Sequence, residues 1–312
     1  TTGLAPAGMI YGGTGFNCYF FYYNPASGQI TNKGRPNPPD YDEELVYDLT
    51  TGIDGRIFGG TGGEHERLDE WGNLFQYDPV TDEATNLGEP VIGEDIIASL
   101  TTVLSGPWEG LILCGTGHHN WLFLYDPFDP THSIWLGPVV AGETYVKALC
   151  THLTGDVMYG GTHPSGYLFR VSYEGVQVLG MAMGYPVGIS SLICGQNGKI
   201  YGGLYNGRVF EYDPGLPFNP PVNPRDLGRP VEIASRIRSL TAGLEGYVYG
   251  GTGGTQAWLF LYDPYGKGGA SQRDEELAAS VQSGSLLLES HPNPITRITD
   301  IRYGIPNVGK PM

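Results

Sequence analysis

Tyr249-Gly-Gly-Thr252, followed by Leu259-Phe-Leu-Tyr-Asp-Pro264, is the stretch on which the fold turns. Its first phrase recurs upstream as Tyr11-Gly-Gly-Thr14, Phe58-Gly-Gly-Thr61, Leu113-Cys-Gly-Thr116, Tyr159-Gly-Gly-Thr162 and Tyr201-Gly-Gly-Leu204. The first residues of successive copies lie 47, 55, 46, 42 and 48 positions apart. Its second phrase returns as Leu74-Phe-Gln-Tyr-Asp-Pro79 and Leu122-Phe-Leu-Tyr-Asp-Pro127, and in varied form as Phe20-Phe-Tyr-Tyr-Asn-Pro25 and Val209-Phe-Glu-Tyr-Asp-Pro214. The fourth copy, Leu168-Phe-Arg-Val-Ser-Tyr173, has lost the Asp-Pro.

Two further phrases complete the unit. Leu-Gly-x-Pro stands at Leu87 to Pro90 and Leu227 to Pro230, with a shorter Leu136-Gly-Pro138. Ile-x-Ser-Leu stands at Ile97 to Leu100, Ile189 to Leu192 and Ile237 to Leu240. Each unit therefore holds four short apolar or aromatic runs punctuated by Gly, Pro, Asn and Asp, which read as strands. Four strands repeating every forty-odd residues are the signature of a propeller blade. Ile-x-Ser-Leu is the inner strand A, the Gly-Gly-Thr run is B, the Tyr-Asp-Pro run is C and Leu-Gly-x-Pro is the outer strand D.

The expectation is an all-β chain: one six-bladed β-propeller domain over residues 1–312, with four-stranded antiparallel blades. The blades fall at roughly 1–40, 41–92, 93–140, 141–185, 186–232 and 233–294, with a closing strand at 295–304. Ile298-Thr-Asp-Ile301 aligns with Ile237-Arg-Ser-Leu240, so it is expected to pair beside the first three strands and leave no open sheet edge. Seven blades is the alternative. The Asp of each Asp-Pro (Asp78, Asp126, Asp213, Asp263) suits a type I turn and reads as structural. The glycine pairs are not phosphate loops, because no Lys-Ser/Thr follows them.

These phrases resemble the propeller repeats of two-component-regulator and Kelch- or NHL-type proteins along nearly the whole chain. The resemblance concerns architecture. Propellers carry binding, hydrolytic, lyase and isomerase activities, so it implies a fold and no particular activity.

The charge balance excludes some partners. Seventeen basic residues face 33 acidic ones, giving a net charge of −16 and a pI near 4.7. Such a field repels phosphate backbones, so nucleic acid is not an expected partner. No apolar run is long enough to span a membrane as a helix. The four cysteines, Cys18, Cys114, Cys150 and Cys194, fit neither CxxC metal spacing nor a disulfide framework, and are expected as buried free thiols. Acidity, Gly and Tyr richness and a first residue other than Met lead to an expected extracellular or periplasmic location.

In a propeller the B–C and D–A loops share one face, and sorting residues by loop gathers the chemistry there. Blade 2 contributes Glu64, His65, Arg67 and Trp71, blade 3 His118 and His119, blade 4 His163, and the last D–A loop His291. Imidazoles with carboxylates beside them suit acid/base work or a divalent metal ion. Candidate catalytic residues are thus His118, His119, His163, Glu64 and His65, and candidate metal ligands His118, His163 and His291. The plain alternative is that exposed loops are where histidines live.

A second set precedes each strand C: Tyr19, Asn73, Trp121, Tyr167, Arg208 and Trp258. Aromatic rings at this rim, with Trp71, can stack on sugar rings. The alternative is packing between blades. A third set occupies one aligned position of the inner strands: Tyr47, Ala98, Lys147, Ser190, Arg238 and Thr299. Its cations can bind an acidic sugar or pair with Asp48, Asp300 or Glu232.

Together these point to a polysaccharide or oligosaccharide ligand bearing carboxylates. Trp121, Trp258, Tyr167, Tyr19 and Trp71 would form the platform, and Arg67, Arg208 and Arg238 the anion contacts. The chemistry would be that of a polysaccharide lyase, or of a glycoside hydrolase using the loop carboxylates. A lectin-like or protein-binding module using the same face is the non-catalytic alternative.

Overall fold

The structure is a computed structural model that describes residues 8–15, 17–37, 45–63, 72–243, 245–254 and 257–265, together with the backbone of Glu289–Pro292 and Ile298–Arg302. The fold is the expected six-bladed β-propeller, all-β apart from one short 3-10 turn among the described residues. The chain divides into two compact units, Thr1–Ile189 and Ser190–Met312.

In the first unit, blade 1 comprises β1 (Ile10–Gly13), β2 (Phe20–Asn24) and β3 (Gln29–Gly34). Blade 2 comprises β4 (Leu45–Thr51), β5 (Ile57–Gly62), β6 (Leu74–Asp78) and β7 (Glu83–Gly88). Blade 3 has β8 (Ile97–Thr102), β9 (Ile112–Thr116), β10 (Trp121–Tyr125) and β11 (Ile134–Pro138). Blade 4 has β12 (Tyr145–Thr151), β13 (Met158–His163), β14 (Tyr167–Ser172) and β15 (Gly175–Met181). Blade 5 runs β16 (Ile189–Cys194), β17 (Ile200–Leu204), β18 (Val209–Tyr212) and β19 (Arg225–Gly228). Blade 6 opens with β20 (Arg236–Ala242), β21 (Val248–Gly253) and β22 (Leu259–Tyr262).

The remaining strands, β23 (Glu289–Pro292) and β24 (Ile298–Arg302), correct one expectation. Ile298–Arg302 pairs with β22, Leu259 facing Ile301, and the sheet of β1 to β3 keeps three strands. An Ile-x-x-Ile run serves an outer strand as well as an inner one, because the two differ little in hydrophobic pattern. Blade 6 has no Leu-Gly-x-Pro phrase of its own, and β22 offers an unpaired edge at smaller loop-closure cost. Residue 291, expected in a loop, lies within β23.

Each signature phrase has a packing job. The first glycine of the pair (Gly59, Gly160, Gly202, Gly250) lies against the Phe of strand C in its own blade, Phe75, Phe169, Phe210 or Phe260, closer than any Cβ allows. The second glycine receives the first aliphatic of the next inner strand. A Cβ on Gly161 would lie 2.5 Å from Ile189, and one on Gly203 would lie 2.5 Å from Ile237. These glycines are therefore close-approach positions. The rings they seat are at most 1% exposed, and each contributes about 1.5–3 kcal/mol by burial.

The Thr closing the phrase ties B to C. Its hydroxyl accepts the backbone N–H of Tyr19, Trp121, Tyr167 or Trp258, at 2.9–3.1 Å, in blades 1, 3, 4 and 6. In Leu-Gly-x-Pro the glycine (Gly88, Gly137, Gly228) has positive φ beside a register shift, forming a β-bulge that ends the outer strand. All four cysteines are buried free thiols.

Candidate functional site

The inner strands are bulged at one repeated position. Register shifts lie between Val46 and Asp48, Ile97 and Ser99, Val146 and Ala148, and Ile237 and Ser239. The bulged residues are Tyr47, Ala98, Lys147 and Arg238, four of the six positions singled out by alignment; Thr299, expected in an inner strand, instead pairs with Leu261. A bulge re-aims its side chain, and it does so at the loop end of these strands.

Beside the bulged residues Tyr47 and Lys147 of the first unit stands a polar–aromatic cluster. The Lys147 ammonium lies 4.6 Å from the Tyr47 ring centre and 5.8 Å from that of Tyr145. Tyr145 in turn makes edge-on contacts with two imidazoles, 6.2 Å from His118 and 6.1 Å from His163. The Tyr47 hydroxyl donates to Gly63 O at 3.2 Å. Within the field of Lys147 lies Asp48, which takes the place that Ser99, Ser191 and Ser239 hold in other blades. It accepts N–H from Leu49 at 2.9 Å and from Leu100 of the next blade at 2.8 Å. Burial raises its pKa to about 6, against the two N–H bonds and Lys147, which pull it down.

Two buried glutamates hold the loops. Glu143 accepts the Thr162 hydroxyl at 2.6 Å and Ser165 N–H at 2.9 Å, fixing the loop that carries His163. Glu94, at the equivalent place in blade 3, accepts the ring N–H of His119 and supports its loop. Asp95 lies 3.4 Å from His118 Nδ1. His163 is pushed below the ordinary imidazole pKa chiefly by burial, with Lys147 adding to the shift and Glu143 opposing it. At neutral pH it is an uncharged base.

The candidates thus separate. His118 and His163 converge on Tyr145, whereas His119 turns to Glu94 with its ring largely exposed. Trp121 packs edge-on against Trp135 of its own blade at 6.1 Å, which is strand-edge packing. Tyr19 is exposed and Tyr167 half-buried at the rim. In the second unit Arg208 is bound by Asp226 at 2.8 Å. Arg236 stacks over Tyr205 at 5.9 Å, and Arg236 and Arg238 both pull the Tyr205 pKa down against its burial. Trp258 is half-buried. Glu64, His65, Arg67, Trp71 and the side chain of His291 lie outside the described residues.

Among the described residues no group of three or more His, Cys, Asp and Glu side chains could hold a metal ion. The residues missed as site members are Tyr145, Glu94 and Glu143. For the two glutamates a signal was available: the D–A turns leading into blades 3 and 4 both place Glu three residues before the buried aliphatic of strand A, in Glu94 to Ile97 and Glu143 to Val146.

No family model matches the chain, and no curated protein matches it in sequence. Solved structures match it in fold. Virginiamycin B lyase from Staphylococcus aureus superposes with a TM-score of 0.61 at 11% identity, over 82% of this chain and 77% of that one. The WD40 repeats of RRP9 give 0.57 at 13% identity, over 82% and 73%. The extracellular domain of a one-component system from B. thetaiotaomicron gives 0.53 at 17% identity, over 83% of this chain and 38% of that one. At these identities the likeness is one of fold.

Proposed function

We propose that the first unit binds a carboxylate-bearing glycan at its B–C and D–A loop face and cleaves it by β-elimination. The observation that carries this reading is the cluster in which Lys147 meets the rings of Tyr47 and Tyr145, and Tyr145 meets both His163 and His118. Elimination from a uronate needs three groups: a cation on the carboxylate, a base for the proton on the adjacent carbon, and a donor for the leaving oxygen. Lys147 stabilises the enolate that develops as His163 takes that proton. The electron pair forms the new carbon–carbon double bond, the glycosidic bond breaks, and the Tyr145 phenol protonates the departing oxygen.

The protein named virginiamycin B lyase supports the reading at the level of fold: a propeller can carry a lyase. Tyr19 and Tyr167 supply the rim on which neighbouring sugars stack. An extracellular or periplasmic location goes with such a substrate. A second reading, binding of an oligosaccharide or a protein without chemistry, is favoured by the same exposed rim.

The test is incubation of the full chain with polyuronates and sulfated uronate polymers, following ultraviolet absorbance of unsaturated ends beside reducing ends. Absorbance that grows with wild type and vanishes with His163→Ala supports the lyase. Reducing ends without absorbance replace it with hydrolysis. Binding that survives His163→Ala with no product replaces it with a lectin-like module. Silence in all assays overturns the glycan reading.

A further inference from the structure

The A–B and C–D turns lie at the other end of each blade, away from the site above. In blades 3 and 4 they enclose a cavity of about 360 Å³ lined by Ser105, Trp108, Asp156, Arg170, Tyr173 and Glu174 among others. Trp108, only 9% exposed, forms its wall. Tyr173 stands edge-on to Trp108 at 5.6 Å with 66% of its surface free.

Exposed apolar side chains stand on the same end of blades 2, 3 and 4. The Asp-Pro turns project them: Asp78 Oδ1 accepts Val80 N–H at 2.7 Å, and Asp126 Oδ1 accepts Phe128 N–H at 2.8 Å, fixing turns whose third residue points outward. Phe128 is 61% exposed. It and Ile53 of the neighbouring A–B turn both border Gly110, so the two blades form one patch. Leu104 N–H donates to Gly155 O at 2.9 Å, which sets the exposed Leu104 beside the turn carrying the exposed Leu153.

The charge on this patch is lopsided. Arg56 is held by Asp54, Arg170 lies 4.0 Å from Glu174, and His132 is engaged by Asp129. Glu109 and Asp156 are exposed and have no ion pair among the described residues. An uncovered apolar patch with an aromatic-walled cavity and surplus negative charge fits one class of partner.

We propose that this face docks a basic peptide segment of a partner protein, its one large apolar side chain entering the Trp108–Tyr173 cavity while flanking Lys or Arg residues meet Asp156 and Glu109. The anchor supplies affinity and the charges supply selectivity and encounter rate. A cavity of about 360 Å³ accommodates one aromatic or aliphatic side chain with room for its neighbours.

The test uses the full chain and three labelled synthetic peptides read by fluorescence anisotropy. One has a Trp flanked by lysines, one has Ala in place of that Trp, and one has glutamates in place of the lysines. Only the first is expected to bind. Its affinity should fall about tenfold with Tyr173→Ala and by a similar factor with Asp156→Lys, while His163→Ala leaves it unchanged. Glu109→Lys, a fully surface change, gives a second reading should Tyr173→Ala unfold. Equal binding of the Ala peptide, no binding at all, or indifference to these variants overturns the proposal. So does sedimentation showing that wild type self-associates through this face and Phe128→Ser does not.

Discussion

Lys147 lies over the face of Tyr47, its ammonium 4.6 Å from the ring centre, and both are the bulged residues of inner strands two blades apart in sequence. The cation is thereby placed by packing, and its field reaches Asp48 and His163, lowering the pKa of both.

Replacing Lys147 by Met should therefore do two things at once. The affinity for uronate oligomers should fall about tenfold or more, as expected for a charge-assisted contact. The Asp48 pKa should also rise above about 6, since the nearby cation lowers it. Carbon-13 carboxyl titration of Asp48 beside calorimetric titration of the ligand would show both, and an unmoved Asp48 would separate the two residues.

The pH profile of turnover carries the signature of His163. A base must be unprotonated to act, and burial holds this imidazole below its ordinary 6.5. The acid limb of kcat/KM should then fall below pH 6.5 in wild type. It should move upward in Lys147→Met, where a group lowering the His163 pKa has gone.

Asp48 predicts a stability profile of unusual sign. An unfolded aspartate ionises at about pH 4, whereas the folded one keeps its proton to about 6. Between those values the native state binds more proton than the unfolded state, so this group's contribution is full below about pH 4 and declines as pH rises to about 6. Because Asp48 is part-exposed, the loss is about 1–2 kcal/mol. Asp48→Ser, which restores the residue used in other blades, should flatten that portion of the urea midpoint against pH.

Thr162 should matter more than Thr116, although they occupy one repeat position. Both accept the N–H that opens strand C, but Thr162 also donates to the buried Glu143. Thr162→Val removes a hydrogen bond to a buried carboxylate and should cost about 1–3 kcal/mol, against about 1 for Thr116→Val. Equal costs in denaturant titrations would mean that Glu143 finds another donor.

Gly160→Ala sets a methyl group into the Phe169 ring and should destabilise by about 1–3 kcal/mol. Adding Phe169→Leu should recover part of that loss, so the two changes are non-additive by about 0.5 kcal/mol or more. Strict additivity in a double-mutant cycle would show that the ring moves aside freely.

Blade number and strand order were legible because each repeat phrase performs one fixed act of packing. Gly-Gly-Thr seats a ring, admits the next blade and pins strand C, so chemistry and spacing return together. The bulge positions were legible for the same reason: Tyr47, Lys147 and Arg238 align because they break the register at the same place. The partner of β24 was not legible, since Ile298 to Ile301 has too little pattern to distinguish an inner from an outer strand. Loop geometry was legible only in part. Histidines could be assigned to an end of the blade, but their convergence on Tyr145 depends on Glu94 and Glu143 folding two turns. Nor does the sequence distinguish a Trp121 that packs on Trp135 from one that meets a ligand.

The glycine pair has a consequence for how such a chain can lengthen or shorten. Its first member is satisfied within its own blade, and its second, as in Gly60, Gly161 and Gly203, packs on the first aliphatic residue of the blade after it. A cut between strands D and A therefore separates a lock from its key, although it looks like the natural seam. A cut just ahead of strand B keeps them together. A segment that runs from one Gly-Gly to the first aliphatic residue of the following inner strand, as from Gly160 to Ile189, keeps this joint intact.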